Sequence, residues 1–237
     1  MREVIGNTTA TPNPRSDWNQ TDETKADYIK NKPDIAALER QIADILYNPM
    51  SITNFTHGVG LQEMGAVVTD VVLTWTTNQT PTTLALDGEP LNVSDKSKQI
   101  GGLSITFDDN GKTWKLVATD HRGASANKTT SKIAFANNIY YGVGDVERGF
   151  DSAFVTSLSK TLQSAKAYDF TVSPNNQYMY YAVPTRLGTV SFKVGGFEGG
   201  FESPETISVT NGSNYTEDYY VYRSTNKLAG DKSVDVT

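Results

Sequence analysis

A mainly β body behind a short N-terminal coiled coil is the fold class this sequence predicts, and three observations predict it. From residue 50 onward, apolar residues alternate in short runs separated by Gly, Asn, Asp and Pro turns. Between Pro33 and Pro49 the apolar period changes to threes and fours. Residues before Pro33 carry no apolar period at all, so they cannot build an interior of their own.

The first element is an extended arm over residues 1–32. It is polar and punctuated by Thr11-Pro12-Asn13-Pro14, and Trp18, Tyr28 and Ile29 are its isolated large apolar groups. Lone anchors on a polar strand suit docking into a neighbour's surface; they equally suit folding back on their own protein.

The second element is a helix over residues 33–48. Pro33 and Asp34 favour a helix start, and Pro49 stops it. Ile35, Leu38, Ile42 and Ile45 fall at spacings of three, four and three, the seam of a coiled coil over two heptads. Isoleucine at both seam positions of the second heptad favours a trimer, whereas Ile35 with Leu38 resembles a dimer pair. The alternative is an amphipathic helix lying on its own domain. So short a helix is marginal alone in water and needs a surface to cover.

Residues 50–137 predict an immunoglobulin-like β-sandwich. Val67, Val68, Val71, Leu73 and Trp75 give one strand region, and Leu84-Ala85-Leu86 a short one before Asp87-Gly88. Leu103, Ile105 and Phe107 alternate into the turn Asp108-Asp109-Asn110-Gly111, and Trp114, Leu116 and Ala118 alternate out of it. Asn127 to Phe135 supplies the last strand. Trp75 and Trp114 keep phase with their apolar neighbours and are the expected core.

Residues 138–237 form a second β-rich domain that holds 10 of the 12 tyrosines. Val155 and Leu158 to Leu162 read as a short helix. Phe170-Thr171-Val172, Tyr178 to Val183, Tyr219 to Tyr222 and Val234 to Val236 read as strands of one sheet, with Gly195 to Phe201 as a Gly-rich connection.

Composition narrows the function. A formal charge of -6 opposes binding to a phosphate backbone, so no nucleic-acid partner is expected. The absence of cysteine removes disulfides and thiolate metal sites. No apolar run reaches the length of a membrane span, and Met1-Arg2-Glu3 opens no apolar signal region. Membrane insertion is not expected, and synthesis in a cytoplasm is.

The arm also carries a resemblance. Asp17-Trp18-Asn19-Gln20-Thr21-Asp22-Glu23-Thr24 through Asp27-Tyr28-Ile29-Lys30-Asn31-Lys32-Pro33 resembles the leader near the start of many tail, baseplate and head-fibre proteins of bacteriophages. Val72-Leu73-Thr74-Trp75-Thr76 with Leu86-Asp87-Gly88, Ala118 to Ala124, and Tyr140-Tyr141-Gly142-Val143-Gly144 are similar to the sandwich module of phage minor structural proteins. Tyr181-Ala182-Val183-Pro184, Gly195-Gly196-Phe197 and Tyr219 to Ser224 are similar to a terminal domain found with that module. The resemblance implies a virion appendage. Asp17, Trp18, Asn19, Gln20, Tyr28 and Ile29 would anchor it to other phage structural proteins, and a trimerising helix would carry projecting β-domains. It supplies no catalytic position.

Catalysis finds little support. His57 and His121, the only histidines, lack metal-ligand spacing, so no metal and no cofactor is expected. Asp120-His121 lacks a nucleophile elbow and reads as a turn. Asp108 to Gly111 lacks the pattern of a calcium loop. Asp145, Glu147, Asp151, Glu198, Glu202 and Glu205 are available for a glycosidase pair, but acidic residues on a β-protein are usually solvated. The chain is therefore expected not to be an enzyme. Tyr178, Tyr180, Tyr219, Tyr222 and Phe197 are candidate contacts for a host-surface glycan, since aromatic faces suit the C–H surfaces of sugars; ordinary strand packing is the competing use. The expected role is a homotrimeric fibre or whisker on the virion. A purely architectural decoration and a polysaccharide depolymerase are the rival roles.

Overall fold

The computed structural model describes residues 17–25, 28–30, 33–109 and 111–237. Thr11 to Pro14, Ser16, Ala26-Asp27 and Asn31-Lys32 of the predicted arm, and Asn110 of the Asp108–Gly111 turn, lie outside the described residues. The chain divides into two units, Met1–Pro49 and Met50–Thr237.

In the first unit, aspartates template the turns of the leader. Asp17 Oδ1 accepts from the Asn19 amide at 2.8 Å, and Asp22 Oδ1 accepts from the Thr24 amide at 3.0 Å. These turns bring Asp17 beside Tyr28 in a parallel β-bridge. The helix α1 (Ile35–Ile45) follows, capped by Asp34, whose side chain accepts from the Ala37 amide at 3.0 Å.

The second unit begins with β1 (Ile52–His57), β2 (Gln62–Glu63), β3 (Val71–Thr77), β4 (Thr83–Leu86), β5 (Glu89–Leu91), β6 (Ser97–Ile100), β7 (Lys115–Thr119) and β8 (Ser125–Thr129). Apart from β2, which pairs with a large sheet of the later strands, they form a sheet of order β1-β3-β6 and another of order β5-β4-β7-β8. Both sheets turn alternate residues into one shared core. Val71, Leu73 and Trp75 come from one sheet, Leu84, Leu86, Leu116 and Ala118 from the other, and Trp114 joins them. Ile52 and Phe55 both face inward despite their spacing of three, because a register shift between Ile52 and Asn54 resets the phase of β1.

The rest of the unit comprises β9 (Phe135–Gly144), α2 (Ser152–Ser157), β10 (Ser159–Gln163), β11 (Phe170–Val172), β12 (Asn175–Pro184), β13 (Phe192–Val194), β14 (Phe197–Glu198), β15 (Glu205–Thr210), β16 (Thr216–Arg223), β17 (Leu228–Ala229) and β18 (Lys232–Val236). A large sheet of order β10-β9-β12-β16-β15 is apolar on both faces. One face packs Tyr181, Met179 and Tyr222 against Phe170, Phe192 and Val234 of a second sheet, ordered β11-β18-β13-β14. The other packs Tyr180, Tyr140 and Tyr219 against Phe150 and Val155 at α2.

Several sequence expectations need correction. Leu103 to Phe107 is not a strand: Ile105 makes a single bridge to Val68, and the Asp109 carboxylate then accepts from the Thr106 amide and closes a 3-10 turn at Phe107–Asp109. Asn127 to Phe135 is not one strand, because Thr130 turns aside to bond Trp114. The expected helix through Leu162 stops at Ser157, where Leu158 turns extended at ψ 164° and leads into β10 on the edge of β9. Val234 to Val236 belong to the second sheet rather than to the tyrosine-rich one. The expected domain limit at 137/138 falls inside β9.

Candidate functional site

Two features of the described residues stand out, an apolar stripe on α1 and a cleft on the second β core. On α1, Ile35, Leu38, Ile42 and Ile45 are all exposed, Ile45 by 81% and Ile42 by 55%. No residue of the helix is buried. Of the leader residues, Asp17, Trp18 and Asn19 are exposed, while Gln20, Tyr28 and Ile29 are half-buried. The Tyr28 hydroxyl donates to Glu23 at 3.3 Å, and its pKa is raised by desolvation and by that carboxylate. Hydrogen bonds from Thr24 hold the Asp22 carboxyl below its ordinary value.

The cleft encloses about 570 Å³. Its floor is aromatic: Phe201 stacks on Phe192 with centroids 4.0 Å apart, and Tyr222 meets Phe192 edge-on at 5.0 Å. Thr189, Ser191, Ser203 and Thr237 also line it, and the Ser191 and Thr237 hydroxyls bond each other at 2.8 Å. Its charges are paired. Lys193 Nζ sits 3.8 Å from Glu198, and Glu202 receives Arg223 Nη2 at 2.7 Å.

The wall that carries Phe201 and Glu202 is locked to the sheets. The Gly199 amide donates to the Phe192 carbonyl, the Glu202 amide to the Arg223 carbonyl and the Thr225 amide to the Gly200 carbonyl, each at 2.9 Å. Gly200 is required there, since its φ is +88° and a Cβ would lie 3.1 Å from Val194 Cγ2. On the opposite side, β13 and β14 join through Gly195-Gly196, both at positive φ, in a two-residue hairpin loop.

The predicted aromatic ligand contacts divide sharply. Tyr180 and Tyr219 are corrected to core residues: both are buried, and their hydroxyls donate to the carbonyls of Val146 and Asn138. Burial pushes the Tyr180 hydroxyl up to about 12 and raises Tyr219 as well. Tyr222 is mostly buried yet borders the cleft, and its hydroxyl accepts from the Val190 amide at 3.1 Å. Tyr178 is covered by the Arg223 guanidinium, 4.1 Å from its ring centroid. Phe197 is 81% exposed, but strand alternation turns it away from the cleft that Glu198 lines.

Sequence reasoning missed Phe192, Ser191 and Arg223. The unbroken apolar run Tyr219-Tyr220-Val221-Tyr222 was a signal that β16 is covered on both faces, with Arg223 drawn in at its end.

The six acidic residues considered for a glycosidase pair are all engaged. Asp145 pairs with Lys227 at 2.7 Å, Glu205 with Arg148 at 3.9 Å, and Glu147 approaches Arg223 at 3.8 Å. Glu198 and Glu202 are paired as above, and Asp151 caps α2 through the Phe154 amide. The bond from Lys227 keeps the Asp145 carboxyl below its usual range, the reverse of what a general acid needs. His57 bonds Ser131 at 3.1 Å, and Asp120 bonds backbone amides of its own turn. Among the described residues, no group of three or more His, Asp or Glu side chains converges as a metal site.

No family model matches this chain, and no curated protein does. Solved structures with some similarity include Rst D1-D2, at 10% identity with 80% of this chain and 84% of that one covered and a TM-score of 0.26. Titin-A168169 follows at 9% identity, with coverage of 80% and 97% and a TM-score of 0.25. An alpha-L-rhamnosidase from Dictyoglumus thermophilum matches at 13% identity, with coverage of 78% and 24% and a TM-score of 0.26. Similarity at this level carries no argument about fold or function.

Proposed function

We propose that this chain is a homotrimeric, non-enzymatic structural appendage of a bacteriophage particle. Its leader attaches to other virion proteins, α1 sets three copies in register, and an immunoglobulin-like sandwich with the tyrosine-rich β domain is presented to a host surface or a partner. The observation that carries the reading is the exposed line of Ile35, Leu38, Ile42 and Ile45 on α1. Four large apolar groups in coiled-coil register, on a helix of 11 residues that is too short to persist alone, call for sister copies. The resemblance of the leader to those of phage appendages supports the assignment to a particle.

Light scattering tests the assembly. The intact protein is expected to have three times the 25.9 kDa mass of one chain. Ile42→Asp is expected to leave monomers, because assembly would bury an unpaired charge in the seam. A monomeric parent protein, or a trimer that survives Ile42→Asp, overturns the role given to α1.

A further inference from the structure

We infer that the cleft beside β13 and β14 is a binding site for a neutral saccharide. Its volume of about 570 Å³ lies within the roughly 300–1,000 Å³ of small-molecule sites. Its lining combines two chemistries that rarely suit one ligand. Phe201 offers a partly exposed aromatic ring backed by the buried Phe192 and Tyr222. The hydroxyl residues Thr189, Ser203, Ser191 and Thr237 line the rest, the last two bonded to each other at 2.8 Å, with groups that both donate and accept. A pyranose carries the matching pair, flat C–H faces and a ring of hydroxyls.

The charges decide against other occupants. Lys193 is the cation among the lining residues, and it already faces Glu198. Glu202 is held from behind by Arg223, with a second cation, Arg148, 3.4 Å away. An anionic ligand would meet two carboxylates and a committed lysine, and a cationic one would have to compete with the buried guanidinium of Arg223. An extended peptide adding to the sheet edge finds only the two residues of β14, too few for a useful ladder.

The cleft is also preformed. Three backbone hydrogen bonds and the Phe192–Phe201 stack fix its wall, so a ligand would not have to order the loop on binding.

This inference rests on the proposed role of the β body in surface recognition, and the two can fail separately. Calorimetric titration of the full chain with maltotetraose, cellotetraose and chitotetraose as neutral probes, and tetragalacturonate as the acidic one, is the test. Saturable binding of at least one neutral probe is expected. Phe201→Ala should weaken it at least tenfold by removing the aromatic floor, and Ser203→Ile should do the same by filling the cleft from an exposed loop position while leaving the melting temperature unchanged. Absence of saturable binding to all three neutral probes overturns the inference. So does equal or tighter binding of tetragalacturonate, or neutral binding that survives Ser203→Ile in a folded protein. A monomeric sample that still binds the neutral probe sinks the fibre and spares the cleft.

Discussion

The buried carboxylate of Asp120 accepts from the amides of Met50, Arg122 and Ala124, and so ties the start of the β body to the turn after β7. Asp120→Ala would strand these donors and is expected to cost about 3 kcal/mol or more, read as a shift in the urea midpoint. That Asp120 serves a turn was legible from Asp-His-Arg-Gly; its reach back across 70 positions to Met50 was not, because sequence spacing carries no record of so distant a partner. The tyrosines show the same limit. Alternation predicts one buried and one open face for β12, yet Met179 and Tyr181 enter one core while Tyr180 and Ala182 enter the other. Tyr180 therefore holds its proton up to about 12. In the unfolded chain a tyrosine ionises near 10, so the stabilisation is complete below that pH and is lost as pH climbs through 10 towards 12. Tyrosinate absorbance is expected to show a late class of tyrosines that ionise together with loss of near-ultraviolet circular dichroism. Independent titration of every tyrosine near pH 10 in a folded protein would contradict the burial.

Among the elements, α1 was the most readable, because its signals are local: an Asp34 cap, a three-four-three stripe and Pro49 beyond its end. The β-strands with one covered face, such as β3 and β7, were legible for the same reason. β10 was not. Ser159–Gln163 has no strand alternation of its own and is extended because β9 offers it an edge, with Leu158 seated 3.2 Å from where a Cβ on Gly142 would lie. The cleft was only partly readable. Its glycine loop announced itself, but the Phe192–Phe201 stack depends on a fold-back that no period encodes.

Across the whole β body, the sandwich core and the pair of cores on either face of the large sheet are clasped together by the connector between β1 and β3. β2 pairs in parallel with the first residues of β9. Glu63 accepts from Asn138 and from Ser213, and the Met64 carbonyl accepts from Asn211 at 2.7 Å. Gly65 permits this approach, since at φ +86° its Cβ would stand 2.6 Å from Tyr215 Cβ and 3.0 Å from the Ser213 carbonyl. Gly65→Ala is expected to cost about 2 kcal/mol or more by combining backbone strain with that clash. Calorimetry should then show one unfolding transition in the parent β body and two in the variant, as the cores part; a single unshifted transition would deny the clasp its role. Glu63 and Ser213 are 150 positions apart, so on a growing chain this side-chain partner is made long after the connector itself. The first core must wait for β9 before the backbone of Gln62 to Met64 is paired, and far longer before Ser213 arrives to hold the Glu63 carboxylate.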